Sequence, residues 1–260
     1  MVLEPRVMDK EHRATRGREA RSRPARAESR SRGRFQGGIL RLGPMQLHWL
    51  QLVVHVGVAL SLAWLAWQYQ SGAFIVDPVR EVQTFTGKAA LVLLMLSLAC
   101  TPLQTLTNWK VLTRVRRPLG VYSFGYAALH LANYLWLDYR FDFGLLLQGI
   151  AEERYVIVGF IAGLLLLPLA LTSTRGWKKR LRKNWKRLHR LVYVAGVLAV
   201  VHFLWLVKDT QEPLRYAGIL ALLLVLRLRP VRRAASRLRQ AVAASWASAI
   251  RSRKAPTPVD

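Results

Sequence analysis

The stretch that decides the fold is residues 185–205, WKRLHRLVYVAGVLAVVHFLW. This largely apolar segment is long enough to cross a bilayer, which takes about 20 residues. It carries His189 and His202, thirteen residues apart, and a rise of about 1.5 Å per residue separates them by ~20 Å. Ionisable groups inside a membrane are costly and usually functional. The segment therefore predicts a spanning helix with one imidazole near each face of the bilayer.

Five further apolar blocks accompany this segment. The six blocks lie at about 44–68, 87–106, 118–138, 155–173, 187–207 and 214–229. Their lengths are close to the ~20 residues that a spanning helix needs, and none alternates as a strand of a membrane β-barrel does. The sequence therefore predicts an all-α membrane protein, a bundle of six transmembrane helices.

The segments between the blocks carry very unequal charge. The segments 1–43, 106–117, 174–187 and the chain from 227 onward hold 33 Lys and Arg residues, whereas 69–86, 138–154 and 207–213 hold only four. The positive-inside rule therefore predicts that both the N and the C terminus lie in the cytoplasm. The net charge of +26 then indicates topology and contact with anionic lipids of the bilayer, and no nucleic acid is expected as a partner.

The same pattern divides the chain into three parts. Residues 1–43 are predicted to be a disordered basic cytoplasmic arm, because they are polar and lack apolar periodicity. Residues 44–229 are the predicted six-helix domain, and residues 230–260 are a basic cytoplasmic tail. No Walker motif is present, and no GxGxxG follows a strand. The chain is therefore expected to carry no nucleotide-binding domain of its own.

The histidines of the apolar blocks fall at two depths. Counted from the start of each block, His55, His130 and His202 lie about 17, 18 and 22 Å in, and His189 lies about 3 Å in. Facing imidazoles at one depth suit a haem iron with two axial ligands, a proton relay or a metal transport site. The blocks contain almost no Asp or Glu, which disfavours a proton pump or a metal carrier. A lone histidine is often only a packing residue, but three at one depth favour haem.

The two histidines of the fifth block point in different directions on a straight helix. Thirteen residues at about 100° each leave His189 and His202 roughly 140° apart. They are therefore expected to face different partners unless the helix bends.

Three stretches carry a resemblance to a known family. They are FTGKAALVLLMLSLACTPLQ (85–104), RRPLGVYSFGYAALHLANY (116–134) and TSTRGWKKRLRKNWKRLHRLVYVAGVLAVVHFLW (172–205). The motifs RRxLG-x8-LH, TS-x11-WxxLHxxxY and HxxW, in this order, resemble the MsrQ family, formerly YedZ, within the ferric reductase-like transmembrane superfamily. The resemblance covers about residues 45–229.

The resemblance implies a multi-pass haem b subunit of the bacterial inner membrane. Such a subunit passes electrons from the quinone pool, or from a flavin source such as a flavin reductase, to MsrP. MsrP-like partners are periplasmic molybdopterin enzymes that reduce methionine sulfoxide in oxidised proteins, so this chain would be an electron-transfer subunit rather than the catalytic one. The family also implies FMN, whose site cannot be assigned to residues here.

The family's cofactor-binding histidines correspond to His130, His189, His202 and His55. Because His130 and His202 also share a depth, they are the expected axial pair of a haem iron, and His189 is a further candidate ligand. Two alternatives stay open at this point. One is a carrier of the same superfamily that reduces ferric or cupric ions, and the other is a haem-free six-span transporter.

Overall fold

The computed structural model describes residues 39–42 and 45–254 of the chain. Most of the predicted arm, and the end of the predicted tail, lie outside the described residues. Two short antiparallel strands, β1 (Ile39–Leu42) and β2 (Met45–His48), come first. The helices that follow are α1 (Trp49–Gln70), α2 (Pro78–Thr107), α3 (Leu112–Asn133) with a π-helical turn (Tyr134–Asp138), α4 (Phe143–Glu152), α5 (Arg154–Leu171), α6 (Arg175–Leu188), α7 (Leu191–Leu206), α8 (Gln211–Val225) and α9 (Arg229–Lys254).

Each predicted apolar block overlaps one helix, in the order α1, α2, α3, α5, α7 and α8. By length and composition, α1, α2 and α5 could each cross a membrane among the described residues. The pair α6 and α7, bent by 50°, makes a fourth candidate if it is counted as one span. The structure therefore supports an integral membrane protein with three or four clear spans, and the count of six stays a prediction.

The start of the first block differs from the prediction. Residues 45–48 pair with residues 39–42 as a hairpin, so helix α1 begins at Trp49 and not near residue 44. Gly43 and Pro44 stand between the two strands in the sequence, and such a pair favours a turn over a helix. Beyond this hairpin the described residues are helical, which confirms the predicted all-α class, and the division into arm, domain and tail stays a prediction.

Helix α2 is the centre of the bundle. Its buried Leu91, Met95 and Leu98 pack against α7 and α8. On another face, Leu94 contacts the fully buried Ala195 of α7. The ammonium of Lys88 also meets the carboxylate of Glu212 at 2.8 Å, which ties α2 to the start of α8. Because α2 contacts several neighbours, it fixes where the other helices stand.

Two prolines inside helices leave backbone carbonyls without their usual donors, since proline has no N–H. Pro102 of α2 cannot donate to the Leu98 carbonyl, and the guanidinium of Arg227 donates to it instead. Pro118 of α3 likewise cannot serve the Arg114 carbonyl, which accepts from the Gln51 amide at 3.1 Å. In lipid a carbonyl without a hydrogen-bond donor costs several kcal/mol of free energy. These side chains from neighbouring segments therefore make the two prolines tolerable.

We predict that Arg227→Leu destabilises the protein by about 1–3 kcal/mol, because it leaves the Leu98 carbonyl buried without a donor. In a Pro102→Ala background the restored backbone N–H can serve that carbonyl, so the same substitution should cost clearly less. Thermal unfolding in detergent of the two single variants and the double variant measures the difference. Equal costs in both backgrounds would contradict this role of Arg227. Tyr193→Phe controls for the other hydrogen bond of Arg227, which runs to the Tyr193 hydroxyl at 2.6 Å.

Candidate functional site

Two imidazoles from different helices face each other inside the bundle. His130 lies near the end of α3 and His202 near the end of α7. Their ring centroids are 6.1 Å apart and their planes are perpendicular, at 90°. The structure thus brings together the two histidines that depth had paired.

Both rings are oriented in the same way. Nδ1 of His130 lies 2.9 Å from the carbonyl oxygen of Gln83 on α2, and Nδ1 of His202 lies 2.7 Å from that of Tyr155 on α5. A carbonyl oxygen can only accept, so each Nδ1 carries the proton and each Nε2 keeps its lone pair. This is the arrangement that proteins use to prepare a histidine as a metal ligand.

A glycine on the adjoining helix makes room for each ring. A Cβ on Gly87 of α2 would lie 2.9 Å from Cε1 of His130. A Cβ on Gly159 of α5 would lie 2.5 Å from Nδ1 of His202. Both distances are shorter than a carbon side chain tolerates, so the imidazoles need glycine at these two positions.

A small amide network surrounds His130. The Gln83 amide nitrogen lies 3.3 Å from Nε2 of His130, and the Gln83 side-chain oxygen accepts from the Asn133 amide at 2.6 Å. Asn133 also donates to the Val79 carbonyl at 3.1 Å. Its side-chain oxygen is buried and makes no hydrogen bond. Gln83 therefore caps the free nitrogen of His130, and a metal at that nitrogen requires the amide to turn away.

His55 does not join the pair. Its Nδ1 lies 2.6 Å from the hydroxyl of Tyr122, which precedes His130 by eight residues on α3, or about 12 Å along the helix. The depth count measured each histidine from the start of a predicted block, whereas helices α1, α3 and α7 begin at Trp49, Leu112 and Leu191. The expected match in depth is therefore wrong for this histidine.

His189 lies at the corner between α6 and α7. It caps α6, where its ring stacks on Trp185 with a centroid distance of 3.9 Å and Nδ1 lies 3.2 Å from the Trp185 carbonyl. The chain bends by 50° here, so one straight helix does not carry both histidines. No described histidine forms a ring pair with His189, and the structure leaves it apart from His130 and His202.

The site offers two nitrogen ligands and little else. Among residues 39–42 and 45–254, no group of three or more His, Cys, Asp or Glu side chains could hold a metal ion. Two imidazoles across a gap suit a metal that brings its remaining ligands with it, as iron does in a porphyrin.

Sequence reasoning missed the residues that support the two imidazoles. The motif GFIAG at 159–163 resembled a helix-packing pattern, but Gly159 accommodates His202 while a Cβ at Gly163 would meet nothing within 4 Å. Gln83 and Asn133 gave no signal, because their contacts with His130 come from the packing of α2 against α3. A glycine within an apolar block was the only available hint.

The fold and this site agree with comparisons to known proteins. The family model described as the ferric reductase like transmembrane component matches residues 86–200, a range that includes His130 and ends two residues before His202. The chain therefore contains a ferric reductase-like transmembrane domain. No solved structure matches the chain significantly.

More specific relatives are proteins named "Protein-methionine-sulfoxide reductase heme-binding subunit MsrQ". The one from Xanthomonas campestris pv. campestris (strain B100) is 52% identical over 178 residues, which are 66% of this chain and 82% of that relative. The one from Xanthomonas axonopodis pv. citri (strain 306) is 51% identical over 179 residues, with the same two coverages of 66% and 82%. The chain therefore belongs to the MsrQ family.

We predict that Gly87→Ala and Gly159→Ala each displace the imidazole that they adjoin, because the added methyl group would overlap the ring. The expected result is a large loss of bound cofactor, measured as pigment per protein after purification in mild detergent. Gly163→Ala is the matched control on α5 and should keep its pigment. Full pigment in both test variants would show that the two glycines do not shape the site.

Proposed function

We propose that this chain binds haem b between His130 and His202 and carries electrons across the membrane for a methionine sulfoxide reductase. The observation that carries the proposal is the facing pair of imidazoles. In each, Nδ1 donates to a carbonyl and the unprotonated Nε2 is the nitrogen that could bind a metal, on His130 after the Gln83 amide turns away. Membership of a family whose relatives are named heme-binding subunits supports it. When bound, the haem supplies the one-electron chemistry.

The spacing of the two rings fits an iron between them. Metal–imidazole bonds are about 2 Å long, so two imidazoles that would hold one metal ion between them must have their rings a few ångströms apart. The observed separation is 6.1 Å. The donor set also fits, because two imidazoles without nearby carboxylates are what a bis-histidine haem requires.

The remaining residues of the site orient the ligands. The carbonyls of Gln83 and Tyr155 hold the two Nδ1 protons, and Gly87 and Gly159 let the rings approach α2 and α5. A hydrogen bond from Nδ1 to a carbonyl raises the basicity of a histidine ligand and fixes the orientation of its ring. The chain thereby sets the ligands and burial of the cofactor, which are the terms that tune its reduction potential.

We propose six spans with both termini in the cytoplasm of a bacterial inner membrane. The six apolar helices and the charge asymmetry of their connections support this topology. It places the His130–His202 pair in the outer half of the bilayer, toward the acidic connections. His189 is then at the cytoplasmic end. His55 and His189 are candidates for further cofactor contacts.

We propose that electrons flow from the cytoplasmic side to the outer side of this topology, as the family resemblance implies. The donor is proposed to be the quinone pool or a flavin source on the inner side, with FMN as the flavin that the family resemblance implies. The acceptor is proposed to be a periplasmic molybdopterin enzyme of the MsrP type, which repairs oxidised proteins. This chain would serve as the electron-transfer subunit of that system.

A shallow, open depression of the surface lies beside His202. It is lined by Glu152, Arg154, Tyr155 and Trp205. The ring of Tyr155 lies 5.8 Å from that of His202, centroid to centroid. A partner that binds over this depression would therefore come close to the haem ligand.

The first test is the spectrum of the purified protein, reduced with dithionite minus oxidised. We expect b-type Soret and α bands in the wild type and their loss in His130→Ala and in His202→Ala, because each removes an axial ligand. Gly163→Ala, whose added methyl group meets nothing within 4 Å, is the control and should keep the bands. A b-type spectrum that survives both changes would reject this ligand pair, and a colourless, folded wild type would favour the haem-free transporter.

The second test concerns the acceptor. We predict that the charge reversal Glu152→Lys with Glu153→Lys slows electron delivery to a basic docking face roughly tenfold at low salt. The effect should shrink as ionic strength rises, because salt screens exposed charges. The neutral pair Glu152→Gln and Glu153→Gln should have a smaller effect. A rate that does not depend on salt in any variant would refute steering by this acidic rim, and reduction of ferric chelates without a partner enzyme would favour the ferric reductase alternative.

A further inference from the structure

Helix α9 is amphipathic and carries an exposed apolar stripe. Leu238, Val242 and Trp246 recur every four residues, so they lie on one face of the helix. Their side chains are 68%, 50% and 69% exposed. Exposed large apolar side chains in such a row mark a surface that binds something.

The rest of α9 is strongly basic. Residues 229–254 contain eight Lys and Arg and no Asp or Glu. Among the described side chains, Arg232, Arg233 and Arg237 are exposed. On a helical wheel at about 100° per residue these arginines fall outside the stripe, with Arg233 and Arg237 on the opposite side. One face is thus apolar and another is cationic.

The start of α9 lies where a membrane surface would be. Arg239 donates to the carbonyl of Thr105 at 2.8 Å, in the last turn of α2, which is one of the candidate spans. The turn before α9 also follows directly from the apolar helix α8. The helix therefore leaves the bundle at the end of two apolar helices and does not extend from a separate domain.

The apolar face of α9 is only partly covered by the protein. Val231 and Ala235, on the same side of the helix as the stripe, are half-buried, whereas Leu238, Val242 and Trp246 beyond them are exposed. The exposed stripe thus continues the apolar face whose first residues, Val231 and Ala235, are half-buried.

We propose that α9 lies in the plane of the membrane surface and binds anionic phospholipids. Its stripe would insert Leu238, Val242 and Trp246 between acyl chains, and its arginines would contact the phosphate groups. Apolar insertion combined with a cationic face is what holds interfacial helices to anionic lipid. Complementary charge and the position at the ends of α2 and α8 favour lipid over a protein partner. This inference does not depend on haem binding.

The test uses full-length protein in vesicles with a single spin label. Cys100, the only cysteine of the chain, is first replaced by Cys100→Ser, which keeps a donor for the Leu96 carbonyl. The label is then placed through Val242→Cys on the stripe or through Ala244→Cys as the matched control. Two residues turn the helix by about 200°, so the control points away from the stripe.

The expected result is read from collision rates with oxygen, which concentrates in lipid, and with a water-soluble nickel chelate. In vesicles of equal parts phosphatidylglycerol and phosphatidylcholine, the label at 242 should collide severalfold more with oxygen than with the chelate, and the label at 244 should show the reverse. In pure phosphatidylcholine the contrast should weaken. Each of Arg232→Gln, Arg233→Gln and Arg237→Gln should lower the docking equilibrium in anionic vesicles by about fivefold.

Three outcomes would overturn the proposal. A label at 242 that stays open to the chelate in anionic vesicles shows that the stripe does not enter lipid. Equal burial in phosphatidylcholine alone, insensitive to the arginine variants, shows that anionic lipid is not recognised. Burial at 242 that rises with the protein-to-lipid ratio shows that the stripe binds a second copy of the chain.

Discussion

The structure depends most on two hydrogen bonds from imidazoles to backbone carbonyls, His130 to Gln83 and His202 to Tyr155. Each fixes the proton on Nδ1 and so leaves Nε2 free. Because the carbonyls belong to α2 and α5 while the histidines belong to α3 and α7, the two bonds couple four helices to one site. Gly87 and Gly159 let the same two imidazoles pack closely against α2 and α5.

A second constraint comes from the solvent. In a bilayer, backbone groups that lose their hydrogen-bond partner cannot bond to water instead. In this bundle, side chains from neighbouring segments donate to such carbonyls. Arg227 serves the carbonyl that Pro102 leaves open, and Gln51 does the same for the carbonyl near Pro118. Arg227 and Gln51 thus have structural roles inside the bundle. The basic residues of α6 lie between two apolar helices and those of α9 follow α8, and we propose that the arginines of α9 contact the membrane surface.

Sequence patterns predicted the helices well and the geometry of the site only in part. The apolar blocks correspond to helices because a continuous apolar run, whether buried in the protein or exposed to lipid, must satisfy its own backbone hydrogen bonds. His130 and His202 could be paired by depth, since rise per residue is constant along a helix. The same ruler failed for His55, because it was measured from the start of a predicted block, and the helix in that block begins at Trp49.

The sequence by itself determined the class of protein, the order of the apolar helices and the family, because these depend on composition, spacing and motifs that are local in the chain. Only the tertiary structure decided which residues support the histidines. Gln83 and His130 are 47 residues apart, as are Tyr155 and His202, so no local pattern links them. It also decided that His189 sits at a bend, apart from the pair, because the break between α6 and α7 changes the direction of the chain. Contacts between distant segments arise from helix packing. The spacing of apolar residues along a single helix does not determine which helices pack together.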